Sequence, residues 1–380
     1  LWRIFWGVEK EERKKSTMKF HQKNPIPLPE VGATSSIKST IETVFDWEYD
    51  LKRKNLLNLY EKGKALNWNA TELPWETDVD IEKIQKTRMK NGAGDMMRAT
   101  LIPPKPVDDE FLMTLGIEQN AFMLSQFLHG EQGALVATAK LVQACPDEEA
   151  KFYAASQVLD EARHVEVYHR YLTEKLGTSY PILPSLGNLL DDVIEAKDWD
   201  MSFLGMQIMV EGIALGAFAF VKLSNPDEPL ILEITERVMQ DESRHVAFGV
   251  LTLEDMYKDG LSENEMRERE DFVLEASHVL KERLNSDQVL ERLGINTPDW
   301  LEWQRNSPYL RGITSMVFSK VVPNLKRIGL LTPRVRKAYE QMNLIHFEHG
   351  KDSLEDVTVE IPDELVKSLT TMIGENTHAK

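Results

Sequence analysis

An all-α fold built around a four-helix bundle is what this 380-residue sequence predicts. Three observations carry the prediction. No stretch sustains the apolar–polar alternation of a strand, whereas long segments repeat apolar residues at helical spacing. Two segments, 126–168 and 207–249, echo each other: each holds a lone Glu in an apolar helical run, then a Glu-x-x-His pair on the next helix. Proline punctuates both copies at the same place, Pro146 and Pro226, between the lone-Glu run and the pair. The four helices read as 108–144, 147–176, 198–224 and 227–258, a helical hairpin used twice. Asp147 and Asp227, one residue past those prolines, are candidates to accept the first amide hydrogen bonds of their helices.

The rest of the chain is expected to wrap this core. Residues 1–39 read as an N-terminal arm. Its opening, Leu1 to Val8, lacks an initiating Met and a secretory cleavage pattern. Residues 1–17, ahead of Met18, therefore read as upstream read-through or a fragment edge, and 18–39 is rich in Pro, Gly and Ser. One helical domain is expected over 40–350. It begins with a helix across 39–66, from the spacing of Val44, Trp47, Leu51, Leu56, Leu59 and Tyr60, and a short helix near 81–90. Between the hairpins, 177–200 carries Pro181, Pro184 and Gly187 and is long enough for a crossover. Further helices fill 262–350, with breaks at Pro298, Pro308, Pro323 and Pro333, before a C-terminal tail, 351–380, with an amphipathic patch at 365–373.

Composition removes several classes of function. A net charge of −17 argues against a nucleic-acid binder, which needs a basic face, and against binding to anionic membranes. The longest apolar run, 203–221, has Glu211 at its centre and Gln207 beside it, so a buried bundle helix is expected there and not a membrane span. The single cysteine, Cys145, excludes an internal disulfide and an in-chain iron–sulfur cluster. It fits a reducing, cytoplasmic setting. No Gly-x-Gly-x-x-Gly nucleotide loop is present.

The repeated residues carry the chemistry. They are Glu131, Glu161 and His164 in the first half and Glu211, Glu242 and His245 in the second. The interval from Glu131 to Glu161 is 30 residues and that from Glu211 to Glu242 is 31. Positions i and i+3 share a helix face, so each Glu-x-x-His pair points one way. Both pairs sit in the string Asp-Glu-x-Arg-His-Val, at 160–165 and 241–246. One copy alone would pass for a solvated helix face; two copies, each preceded by a lone Glu among apolar residues, make a two-metal centre the better reading. Four carboxylates and two imidazoles, without a thiolate, suit iron or manganese over structural zinc. Two iron ions are the expected cofactor, with manganese or a mixed Mn/Fe pair as alternatives. Asp160 and Asp241 are expected to accept from the ring N–H groups of the histidines, each across to the other hairpin, with Arg163 and Arg244 beside them. Gly130, Gly133, Gly212 and Gly216 adjoin the lone glutamates, and suggest either room for oxygen and substrate or tight helix contact.

At these residues the sequence resembles the ferritin-like di-iron carboxylate superfamily, which includes the ribonucleotide reductase small subunits. The resemblance covers 108–258. The doubled Asp-Glu-x-Arg-His string is similar to that of bacterial multicomponent monooxygenase hydroxylases; overall size and the second interval look more like the p-aminobenzoate N-oxygenase group. Two departures stand out: Val238 occupies the place of the N-oxygenase group's extra histidine, and Leu215 that of the hydroxylases' threonine. The resemblance implies O2 activation at a non-haem di-iron site held by Glu131, Glu161, His164, Glu211, Glu242 and His245, and oxidation of a small organic substrate by hydroxylation, N-oxygenation or desaturation. With no flavin or nicotinamide fingerprint and no cluster-binding cysteines in the sequence, a separate reductase or ferredoxin is expected as electron donor unless the substrate supplies the electrons itself, and a homodimer is left open. Tyr168, four residues after His164, has the spacing of the reductase subunits' radical tyrosine, so a radical-generating subunit is the alternative; an iron-binding ferroxidase is a third reading.

Overall fold

Short acidic side chains and prolines set where the helices start. The computed structural model describes residues 36–47, 49–282 and 286–355; most of the expected arm and the patch at 365–373 lie outside them. Helix α1 is Lys54–Ala65, α2 Ile81–Lys90, α3 Ala93–Leu101, α4 Asp109–Ala144 and α5 Glu148–Tyr171. Asp108 accepts from the Phe111 amide at 2.8 Å to open α4. A π-helical turn, Leu172–Leu176, extends α5. Then come α6 (Pro184–Glu195), α7 (Trp199–Phe203), a π segment (Leu204–Val210) and α8 (Glu211–Ser224), the last three forming one continuous rod. Helix α9 is Pro229–Asp259 and α10 is Glu263–Glu282.

The bundle consists of α4, α5, the α7–α8 rod and α9, a ferritin-like arrangement with no strand among the described residues. The two hairpins pack with α5 against α9 and with α4 against the α7–π part of the rod. Helix α1 lies over α5 and α9, and α6 covers α4. The rod is the one described helix long and apolar enough to cross a membrane, and 89% of its most apolar window is buried among the other helices.

Two expectations need correction. The helix expected over 39–66 is confined to α1. Residues 36–47 and 49–53 have no helical structure, and Phe45 and Trp47 are 67% and 72% exposed, so their spacing marks no buried stripe. That stretch is held by other means: Val44 N–H donates to Gln143 O at 2.9 Å, and Arg53 reaches Asp147 at 2.7 Å and Leu251 O at 2.5 Å. Asp147 is thus spent on Arg53 and caps nothing, while Asp227 pairs with Arg88. The α9 cap is the next residue, Glu228, which accepts from Leu230 N at 3.0 Å and Ile231 N at 2.6 Å. The crossover contains α6, which starts on Pro184 and buries Leu186, Leu189, Leu190, Val193 and Ile194. Pro298, Pro308 and Pro333 likewise begin helices, where a missing N–H costs nothing, and Pro323 sits in the first turn of Val321–Arg327.

The glycines decide between the two readings left open for them. At three of them tight contact, not open space, is found. A Cβ on Gly133 would stand 2.5 Å from Leu190 Cδ2, one on Gly212 3.1 Å from Val321 Cγ2, and one on Gly216 2.6 Å from Val317 Cα. The last neighbour is backbone and cannot rotate away. Gly216→Ala should therefore lower stability by about 1–3 kcal/mol through overpacking, despite alanine's better helix propensity. Gly116, with nothing within 4 Å of the same atom, is the control: Gly116→Ala should leave the melting temperature unchanged or raise it. Equal melting shifts for both variants would contradict this account of α8 packing.

Candidate metal centre

Each bundle helix delivers one part of a single buried cluster. Helix α4 brings Glu131, α5 brings Glu161 and His164, the rod brings Glu211 as the first residue after its π segment, and α9 brings Glu242 and His245. All six are buried. One donor atom each from Glu131, Glu161, His164 and Glu242 falls within 4.8 Å of the others, and the same holds for Glu161, Glu211 and His245. The two groups share Glu161, and the imidazole centroids are 5.8 Å apart.

Both histidines turn Nδ1 to this centre. His164 Nδ1 is 3.3 Å from Glu131 Oε2, 3.3 Å from Glu161 Oε2 and 3.1 Å from Glu242 Oε1. His245 Nδ1 is 3.1 Å from Glu161 Oε1 and 3.6 Å from Glu242 Oε1, yet its geometry makes no hydrogen bond. The opposite nitrogens cross between the hairpins: His164 Nε2 lies 3.1 Å from Asp241 Oδ2, and His245 Nε2 lies 3.2 Å from Asp160 Oδ2. Donating Nε2–H to a carboxylate leaves Nδ1 with its lone pair for a cation. Arg163 also binds Asp241 Oδ2, at 2.9 Å, and Arg244 binds Asp241 Oδ1.

The charges show what the cluster requires. Asp160 and Asp241 are matched by Arg163 and Arg244. The four glutamates have no such partner. Glu161 Oε2, Glu211 Oε2 and both oxygens of Glu242 are buried without a hydrogen bond. Burial, then the Glu242 charge, pushes Glu131 well above the usual carboxylate range; burial, then Glu242 and Glu161, does the same to Glu211. Burial opposes it, but His245 and the hydrogen bond of His164 hold Glu161 well below that range. Asp241 is likewise held low against burial by the bond and charge of His164. Both histidines are pushed up against burial, His164 first by its bond to Asp241 and His245 first by the Glu161 charge. Orphaned anionic oxygens around two Nδ1 atoms fit a pair of divalent cations, whose charge would equal that of the four glutamates.

Comparison with known proteins adds little. No family model matches the chain, and no curated protein does. Similar solved structures include two substituted forms of an R2-like ligand-binding oxidase with an anaerobically reconstituted Mn/Fe cofactor. One is 17% identical, with 74% of this chain and 95% of that one covered and a TM-score of 0.41. The other is 15% identical, with 77% and 94% covered and a TM-score of 0.35.

Several residues around the centre escaped the sequence reading. Trp68, in the loop after α1, donates from Nε1 to Asp241 Oδ2 at 2.9 Å, and the Arg163 guanidinium lies 4.5 Å from its ring. Asn67 accepts from Arg163 at 2.7 Å. A tryptophan sixty or more residues ahead of the motif offers no periodic signal. Tyr153 packs against His245 at 6.5 Å and Phe248 at 4.5 Å between centroids. Tyr168, which the sequence did single out, is buried between Phe127 and Phe218; its hydroxyl has no hydrogen-bond partner. Val238 and Leu215 are both buried.

A pH dependence follows for protein prepared without metal. Glu131 and Glu211 bind protons more tightly folded than unfolded, so the stability they permit is full below 4.5 and is lost as pH rises through their raised values. His164 and His245 act in the same direction, from 6.5 upward. Glu161 and Asp241 oppose them only in acid, losing their contribution as pH falls from 4.5 and 3.8 through their depressed values. The metal-free melting temperature should fall between roughly pH 6 and 8, and added divalent metal should raise it more at the upper end, because binding displaces protons. A metal-free melting temperature that climbs across that interval would contradict these directions.

Proposed function

We propose that this chain is an oxidoreductase that activates O2 at two iron ions held by Glu131, Glu161, His164, Glu211, Glu242 and His245, and oxidises a small organic substrate. The observation that carries the reading is the charge imbalance of four buried glutamates, with two imidazole Nδ1 atoms turned toward them. Hard carboxylate oxygens with borderline imidazoles suit iron, and manganese or a mixed Mn/Fe pair as well. When bound, such metals would supply redox chemistry with O2 that no amino-acid side chain provides. The protein's own part is to hold Glu161 and Glu242 between the two histidines, to fix both ring tautomers through Asp160 and Asp241, and to keep bulk water out with a closed apolar shell. Hydroxylation, N-oxygenation and desaturation all remain within this reading.

Iron-loaded protein prepared anaerobically should hold close to two iron per chain. Glu161→Ala should lower both equivalents, since that carboxylate belongs to both donor groups, and His245→Ala should lower one. One iron per chain in the wild type, or unchanged uptake in both variants, would sink the proposal.

The radical-generating alternative rests on Tyr168. One-electron oxidation of a phenol requires somewhere for its proton to go. Burial, then the charge of Glu131, pushes this phenol well above its usual range, and its hydroxyl has no acceptor. That favours the oxygenase. Tyr168→Phe should retain most turnover and its iron, and turnover should require a separate reductase or ferredoxin, since the chain has no cluster-binding thiols. A persistent organic radical abolished by Tyr168→Phe, or sustained NADH-driven turnover by the isolated chain, would point the other way.

A further inference from the structure

The two halves of the site are not equivalent, and the difference centres on Gln157. This residue lies one turn before Glu161 on α5 and is fully buried. Its Nε2 donates to Glu161 Oε1 at 2.9 Å and to Glu211 Oε1 at 2.9 Å. Its Oε1 is buried without a hydrogen bond. The corresponding position in the other half, one turn before Glu242, is Val238. The repeat therefore duplicates the three donors of each half but not this amide.

The asymmetry matters because the donor groups are unequal. One comprises Glu131, Glu161, His164 and Glu242; the other has only Glu161, Glu211 and His245. Gln157 contacts two residues of the poorer group. We propose that Gln157 is a positioning residue for that group: its amide ties Glu211 on α8 to Glu161 on α5 and sets the spacing at which the weaker of two metal positions binds. The inference rests on the two-metal reading above. An amide can serve two anionic oxygens through its N–H2 edge without adding charge, and that network assigns its orientation. A leucine would fill the same volume without orphaning a buried oxygen, so packing alone gives this glutamine no advantage. Glu211 follows directly on a π segment, and the tether holds the carboxylate where the helical hydrogen bonding is least regular.

The test is anaerobic Fe2+ titration of the full chain by calorimetry, resolving the two equivalents. Gln157→Leu should weaken the second equivalent about 10–100-fold, the usual effect of losing a group that orients a ligand, and the first by much less. Gln157→Glu keeps the volume but, once ionised, donates to neither Glu161 nor Glu211, so it should not hold the second equivalent at wild-type affinity either. Val238→Ala, a packing change at the matching position, should leave the ratio of the two affinities unaltered. Equal weakening of both equivalents in Gln157→Leu, or none in a variant that melts like the wild type, overturns the tether. A wild type that takes up fewer than two equivalents instead removes the two-metal reading itself, and the tether with it.

Discussion

Four carboxylates share a volume from which water is excluded, and their mutual repulsion is the constraint to which the remaining structure answers. A buried, unpaired carboxylate costs several kcal/mol or gives up its charge, and here one helix after another carries one into the same place. The surrounding groups spread that charge outward in a fixed order. Histidines face the glutamates, aspartates face the histidines, and Arg163 and Arg244 face the aspartates. Because each His–Asp contact joins α5 to α9, the polar chain also fixes how the two hairpins meet. The apolar packing of the bundle alone would tolerate small rotations; these directional contacts do not.

How much of this was legible in the sequence depended on whether the signal was local. The helices bearing Glu131, Glu161, Glu211 and Glu242 end within a few residues of where apolar patterning and proline put them, because both are local signals. The crosswise Asp–His contacts could be anticipated from two neighbouring letters in a duplicated string. What failed was long-range or ambiguous. Val44, Trp47 and Leu51 have helical spacing, but their chain is pinned in a non-helical path by Gln143 and, through Arg53, by Asp147 and Leu251, partners far away in sequence. Pro298, Pro308 and Pro333 read as breaks between helices, and each is also the first residue of the next one, because a first-turn proline loses no hydrogen bond. Trp68 and Gln157 were missed for different reasons. The tryptophan reaches Asp241 only through tertiary folding; the glutamine lies one turn from Glu161 and could have been found by asking what else shares that face.

The loop after α1 belongs to the centre as much as the bundle does. Through Asn67 and Trp68 it adds an acceptor for Arg163 and a donor to Asp241, two groups that already meet each other across the hairpins. Arg53, before α1, binds both the start of α5 and a carbonyl of α9. The segment around α1 is therefore a brace across the two pair-bearing helices, and its own folding depends on theirs.

The π segment at Leu204–Val210 has a consequence for lineage more than for mechanism. A π turn stores one residue beyond what the same length of α-helix would need. Within this stretch the chain can lose a residue and relax to ordinary helix while Glu211 and everything after it keep their register on the rod. A homologue with a plain helix here would show a single gap in alignment, upstream of an unchanged glutamate. Insertion and deletion, elsewhere ruinous inside a packed helix, would at this point be a reversible step between neighbouring sequences that leaves the face presented by Glu211 where it is.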